Sequence, residues 1–173
     1  NGGAEWTPIR NLPISQFYAV TADRQTPYRV YGGLQDNGSW MGPSRTANAF
    51  GVTNADWKRI MGMDGFYCQA PPDDPFTAYA EGQYGRPSRI DLRTMKGTSI
   101  RPRVPMGTTD YRYNWSAPLV LSPHNSRTLY YGGNVVFKST DRGTNWEVIS
   151  PDLTRGERGR VYLTNGHTIT VLS

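Results

Sequence analysis

The chain has one cysteine, two histidines and three lysines among 173 residues, and each scarcity removes a class of function. A single cysteine allows neither an internal disulfide nor a thiolate metal cluster. Cys68 stands in the strand-like run Phe66-Tyr67-Cys68-Gln69, where a small buried hydrophobe is the simplest reading of a free thiol. His124 and His167 stand apart from one another, without the spacing of a metal-ligand pair, so neither metal nor cofactor is expected. No apolar run is long enough for a membrane-spanning helix. No leader peptide is visible either, which in a fragment leaves export of the parent open. No window keeps a 3.6-residue apolar period over three turns, so helix should be minor. The net charge of +5 comes from 16 arginines scattered one or two per segment. Nucleic-acid binding calls for a clustered basic stripe, and none is present. The densest group, Arg155-Gly156-Glu157-Arg158-Gly159-Arg160, reads as a solvated linker.

Turns and a repeat are plentiful. The 19 glycines and 13 prolines punctuate the chain at the intervals of short strands, which points to an all-β fold. Three segments align: Phe17 to Gly33, Phe66 to Glu81 and Pro118 to Gly133. Each reads as strand, polar turn, strand. Their tyrosines Tyr31, Tyr79 and Tyr131 recur about every fifty residues, the period of a four-stranded propeller blade. Trp-x-x-Ile recurs as Trp6 to Ile9, Trp57 to Ile60 and Trp146 to Ile149, and at the matching place in the middle unit Ile100 keeps the strand without the tryptophan. These markers predict one fragment over 1–173, with approximate blades at 17–60, 66–101 and 117–149 and partial blades at both ends. A closed propeller holds about four to eight blades, so the remaining blades of a larger parent ring are expected as partners.

The octapeptide Ser139-Thr140-Asp141-Arg142-Gly143-Thr144-Asn145-Trp146 has the form S-x-D-x-G-x-x-W. Asp141 is placed to accept hydrogen bonds from backbone N–H groups of its own turn, Gly143 to supply a positive φ, and Trp146 to start the return strand with a buriable ring. The preceding Val135-Val136-Phe137-Lys138 suits a hairpin arm. This octapeptide resembles the Asp-box (BNR repeat) of sialidase, sortilin and xyloglucanase propellers, where it closes the hairpin between the third and fourth strands of a blade. The shorter Gln35-Asp36-Asn37-Gly38-Ser39-Trp40 falls one residue short, at a different turn, and is not counted.

In a blade of strands A to D, the D-to-A and B-to-C connections share one rim. That rim would gather Gln35, Asp36, Asn37, Asp64, Glu81, Gln83, Tyr84, Tyr113, Asn114, Trp115 and Asn134, with Asp141 on the other. Aromatic rings stack on apolar ligand faces, while amides and acids bind hydroxyls or backbone, so the rim suits carbohydrate or polypeptide. The plainer reading stands beside it: Asp36-Asn37-Gly38 and Asp64-Gly65 are also ordinary tight-turn sequences.

Further stretches widen the resemblance. Asn11-Leu12-Pro13-Ile14-Ser15-Gln16-Phe17-Tyr18, Gly32 through Trp40, Asp64-Gly65-Phe66-Tyr67, Asn114-Trp115 and Ile149 through Thr154 are similar to sortilin-like or glycosyl-hydrolase-like repeat proteins, mostly large bacterial ones. The first box is shortened around Trp6, and Cys68 with Pro71-Pro72 makes the second unit's first strand unusual. The resemblance implies a multi-bladed Asp-box propeller in an extracellular or periplasmic protein. Sortilins bind peptides in the channel, and xyloglucanases cut glucans with paired aspartates. A glycosidase needs two carboxyls roughly 5 to 9.5 Å apart, and Asp36 with Asp64, from successive connections, is the pair on offer. The sialidase route fares worse, since Arg89-Ile90-Asp91 lacks the proline of the Arg-Ile-Pro signature. No nucleophile elbow supports acyl transfer. Ligand binding leads, glycoside hydrolysis follows, and a structural spacer is the third reading.

Overall fold

The computed structural model describes residues 2–6, 15–107, 109–154, 161–164 and 167–170. Ile9, the stretch 11–14 and the arginine cluster at 155–160 lie outside the described residues. The described chain is all-β; its one helical element is a 3-10 turn at Asn54–Asp56. No helix among the described residues is long and apolar enough to cross a membrane.

Three four-stranded antiparallel sheets follow one another as simple meanders. The first holds β1 (Phe17–Ala22), β2 (Arg29–Leu34), β3 (Gly38–Pro43) and β4 (Lys58–Met61). The second holds β5 (Gly65–Gln69), β6 (Thr77–Gly82), β7 (Arg86–Asp91) and β8 (Lys96–Ser99). The third holds β9 (Leu119–Leu121), β10 (Leu129–Gly132), β11 (Val136–Ser139) and β12 (Glu147–Val148). A hairpin of β13 (Val161–Thr164) and β14 (His167–Thr170) comes last. The aligned tyrosines hold matching places: Tyr31 pairs Thr21 and Met41, Tyr79 pairs Gln69 and Arg89, and Tyr131 pairs Leu119 and Phe137.

The second strand of each sheet is deeply buried because a neighbouring sheet covers it. Tyr31, Met41 and Ile60 of the first sheet pack on Cys68, Ala78, Ala80 and Ile90 of the second. On the opposite face of the second sheet, Tyr79 and Ile100 pack with Leu119, Leu129, Tyr131 and Phe137 of the third. Where the sheets approach most closely no side chain fits: a Cβ on Gly33 would fall on the backbone of Gly65 and Phe66.

The first strands gather, with β5 touching both β1 and β9, while each fourth strand forms the other edge of its sheet. All four residues of β8 and both of β12 are exposed. Lys58 and Arg59 on β4 and Lys96 on β8 give these edges charge, which discourages edge-to-edge pairing with another chain.

Candidate functional site

The connections β2–β3, β4–β5, β6–β7 and the approach to β9 meet at one end of the sheets. Asp64 is the knot among them. Its Oδ1 accepts a hydrogen bond from the Asp36 backbone N–H, and its Oδ2 accepts one from Gln83 Nε2 at 2.9 Å. A parallel bridge between Gly38 and Asp64 runs alongside. Asp36 holds φ of 59° and Tyr84 holds 55°, a left-handed conformation uncommon outside glycine that tight two- and three-residue turns demand. Asn37 is exposed; its Nδ2 donates to the Gln35 carbonyl at 3.0 Å, while its own carbonyl accepts from Trp40 Nε1 at 2.7 Å.

Aromatic rings cross this end from sheet to sheet. Tyr18 lies 4.6 Å from Phe66 between ring centroids, Phe66 meets Trp115 edge-on at 6.0 Å, and Trp115 meets Tyr84 edge-on at 5.0 Å. The row is pinned by backbone: the Tyr84 N–H donates to the Trp115 carbonyl at 3.3 Å. Asn114 Oδ1 accepts from the Trp115 N–H at 2.7 Å. Phe66 is buried, Trp115 half-buried, and Tyr84 remains 37% exposed. Edge-to-face pairs of this kind add about 1 kcal/mol each beyond burial, so the exposed ring is held at a fixed angle.

Three residues expected on an open rim lie inside. Glu81 is 0% exposed, buried where β6 faces the start of the third sheet, and its Oε1 accepts the Ala117 N–H at 3.3 Å. Burial pushes its carboxyl up to about 9, outweighing the Ala117 bond, so the group is a neutral acid at pH 7. Tyr113 is a core residue beside Tyr131 and Phe137, with the Arg101 guanidinium 4.9 Å from its ring centre. Burial pushes its phenol up to about 12. Asn134 is buried as a brace: Oδ1 accepts the Arg112 N–H at 2.9 Å and Nδ2 donates to Asp152 at 3.0 Å. The common reason is the segment 109–118 leading to β9: its Ala117 meets Glu81, its Arg112 meets Asn134, and its own Tyr113 turns into the core.

The expected carboxylate pair is also altered. Asp36 is exposed, but Asp64 is only 6% exposed and both its oxygens hold neighbouring turns. In this arrangement Asp64 organises the turns. The exposed side chains at this end are those of Asp36, Asn37, Tyr84, Arg59 and Arg86, with Gln35, Asn114 and Trp115 partly exposed, chemistry for non-covalent recognition by stacking, hydrogen bonding and charge.

On the opposite end, Ser139 to Trp146 joins β11 to β12. Asp141 Oδ1 accepts from the Asn145 N–H at 2.9 Å and from Ser139 Oγ at 2.8 Å, and Oδ2 accepts from Asn145 Nδ2 at 2.7 Å. The Asn145 amide above all holds the Asp141 carboxyl down to about 2. Gly143 takes φ of 83°, and its N–H donates to Ser139 Oγ at 2.9 Å. Trp146 packs against the core of the third sheet and donates from Nε1 to the Ile100 carbonyl at 2.7 Å, tying this turn to the second sheet.

Cys68 is buried, and desolvation pushes its thiol up to about 12 despite the Ser39 hydroxyl beside it. At that same opposite end, the β1–β2, β5–β6 and β9–β10 turns flank a cleft of about 370 Å³ that is open to solvent. Its polar residues include Arg24, Asp73 and His124. Nothing local in the sequence signals it, since the three turns come together only through sheet packing; the aligned repeat is the one sign that they share an end. Compared with known proteins, the chain matches no protein-family model and no curated sequence.

Proposed function

We propose that the three sheets are blades of an Asp-box β-propeller, part of a larger ring in an exported protein, that recognises a carbohydrate or polypeptide. The ligand lies along the end formed by residues 35–37, 83–85 and 114–115. The observation carrying this reading is the exposed Tyr84 ring set edge-on against Trp115, at the same end of the sheets as the amides of Gln35, Asn37 and Asn114, of which Asn37 and Asn114 are each also bonded to backbone. A fixed, partly exposed aromatic with amides at the same end is suited to a sugar face or an extended peptide, and little ordering cost is left to meet on binding. The gathered first strands, the fourth strands at the other sheet edges and the Ser139–Trp146 turn between third and fourth strands support the propeller geometry.

Glycoside hydrolysis is less well supported. It needs one protonated and one ionised carboxyl flanking the scissile bond, whereas Asp64 is bonded to Asp36 and Gln83. The test is an oligosaccharide array and a peptide array probed with the chain and with Tyr84→Ala/Trp115→Ala. The proposal expects a consistent set of hits on one array, weakened about tenfold or more by the double variant. Hits that survive the double substitution, or no hits at all, contradict it.

A further inference from the structure

The cleft at the other end of the sheets has the features of a second, separate site. Its walls are three turns held rigidly to one another. Arg29 donates from Nη2 to the Pro75 carbonyl at 2.6 Å, binding the first turn to the second. Ser126 Oγ donates to Asp73 Oδ2 at 2.6 Å, binding the third turn to the second. Arg142 Nη1 reaches Asp74 Oδ2 at 2.9 Å and ties the third sheet to that same second turn. A solvent-open polar cleft of about 370 Å³ with walls braced in this way keeps its shape without a ligand.

The charges around it are unevenly satisfied. Asp23 is buried and saturated, accepting from the Gln25 N–H, the Arg29 N–H and Nε, and the Tyr31 hydroxyl. Asp73 is exposed and engaged at one oxygen alone, by a neutral hydroxyl. Arg24, also exposed, makes no side-chain hydrogen bond or ion pair among the described residues. A guanidinium and a carboxylate therefore line one cleft, on different turns, without pairing with each other. Ala70, Pro72, Leu121 and Pro123 supply apolar wall between the polar groups.

We propose that this cleft binds a small zwitterion, a free amino acid or a short peptide, with its carboxylate on Arg24 and its ammonium on Asp73. Charge-assisted hydrogen bonds at both ends orient the ligand, and the apolar wall takes its side chain. The site lies at the opposite end of the sheets from Tyr84 and Trp115, so it stands or falls independently of the reading above.

Calorimetric titration of the 173-residue chain with leucine, the dipeptide Ala-Leu, and their N-acetylated and C-amidated forms tests the proposal. Both zwitterions, or one of them, should bind, and the tighter of the two identifies the source. Blocking either terminus should weaken binding about tenfold or more. Arg24→Gln should abolish discrimination against the amidated ligand, and Asp73→Asn discrimination against the acetylated one. Arg24 has no internal partner, so its variant should melt with the parent and remain informative whatever Asp73→Asn does to the turn. Absence of binding at millimolar ligand, equal binding of blocked forms, or an unchanged Arg24→Gln variant overturns the proposal.

Discussion

Glu81 on β6 accepts a hydrogen bond from the Ala117 backbone N–H, two residues before β9, so a buried carboxyl joins the second sheet to the third. The aligned residue of the first sheet is Gly33, whose lack of a side chain lets Gly65 and Phe66 come directly against it. The same repeat position thus solves one packing problem in two ways.

The Glu81 carboxyl moves from an ordinary 4.5 to about 9 in the folded chain, so the folded state binds its proton more tightly than the unfolded state. Stability from this group is greatest below the unfolded value and declines as pH rises from about 4.5 to about 9. Glu81→Gln, which keeps the shape and cannot ionise, should flatten that decline. Thermal melts across this range check it, and parallel curves for the two proteins contradict it.

Asp141 shifts the other way. Held down to about 2 by the Asn145 amide, it stabilises the fold above its ordinary 3.8, and that contribution is lost as pH falls through about 2. Asp141→Ala should cost about 1 kcal/mol at neutral pH, a modest figure because the turn is solvent-screened. Urea unfolding at pH 7 and at pH 2 should show the difference at the first and little at the second; an equal gap at both contradicts the assignment.

Gly33→Ala places a methyl group against the Gly65–Phe66 backbone, which cannot swing aside as a flexible side chain would. The expected loss is about 3 kcal/mol. A midpoint of denaturation within experimental error of the parent's would show that the first two sheets do not meet there.

Cys68 should resist thiol reagents in the folded protein at about pH 8, because a buried thiol pushed up to about 12 supplies almost no thiolate. Labelling should follow unfolding in urea. Stoichiometric reaction of the native chain within seconds contradicts this burial.

The strands were legible in the sequence because their signals are local. Recurring Tyr-Gly-Gly or Tyr-Ala-Glu strand ends, with Asp-Asn-Gly, Gln-Tyr-Gly and Gly-Asn at the turns, mark β2–β3, β6–β7 and β10–β11 within a few residues. The octapeptide likewise encodes its own turn, since Asp141 and Asn145 bond within it. Burial of Glu81, Tyr113 and Asn134 was not legible, because each is covered by chain from a different sheet or by the segment leading to β9. Asp64 shows the limit most clearly. As Asp-Gly it reads as a turn residue, and only the approach of Asp36 and Gln83, 28 and 19 positions away, commits its carboxylate to bracing.

The most direct test of the proposed recognition surface is backbone amide NMR of the labelled chain, titrated separately with cellohexaose and with an unstructured peptide. The account predicts that one of them shifts resonances at residues 35–37, 83–85 and 114–115, and that Tyr84→Ala/Trp115→Ala removes those shifts. Shifts confined to other surfaces, or shifts at this end that persist in the double variant, would contradict it.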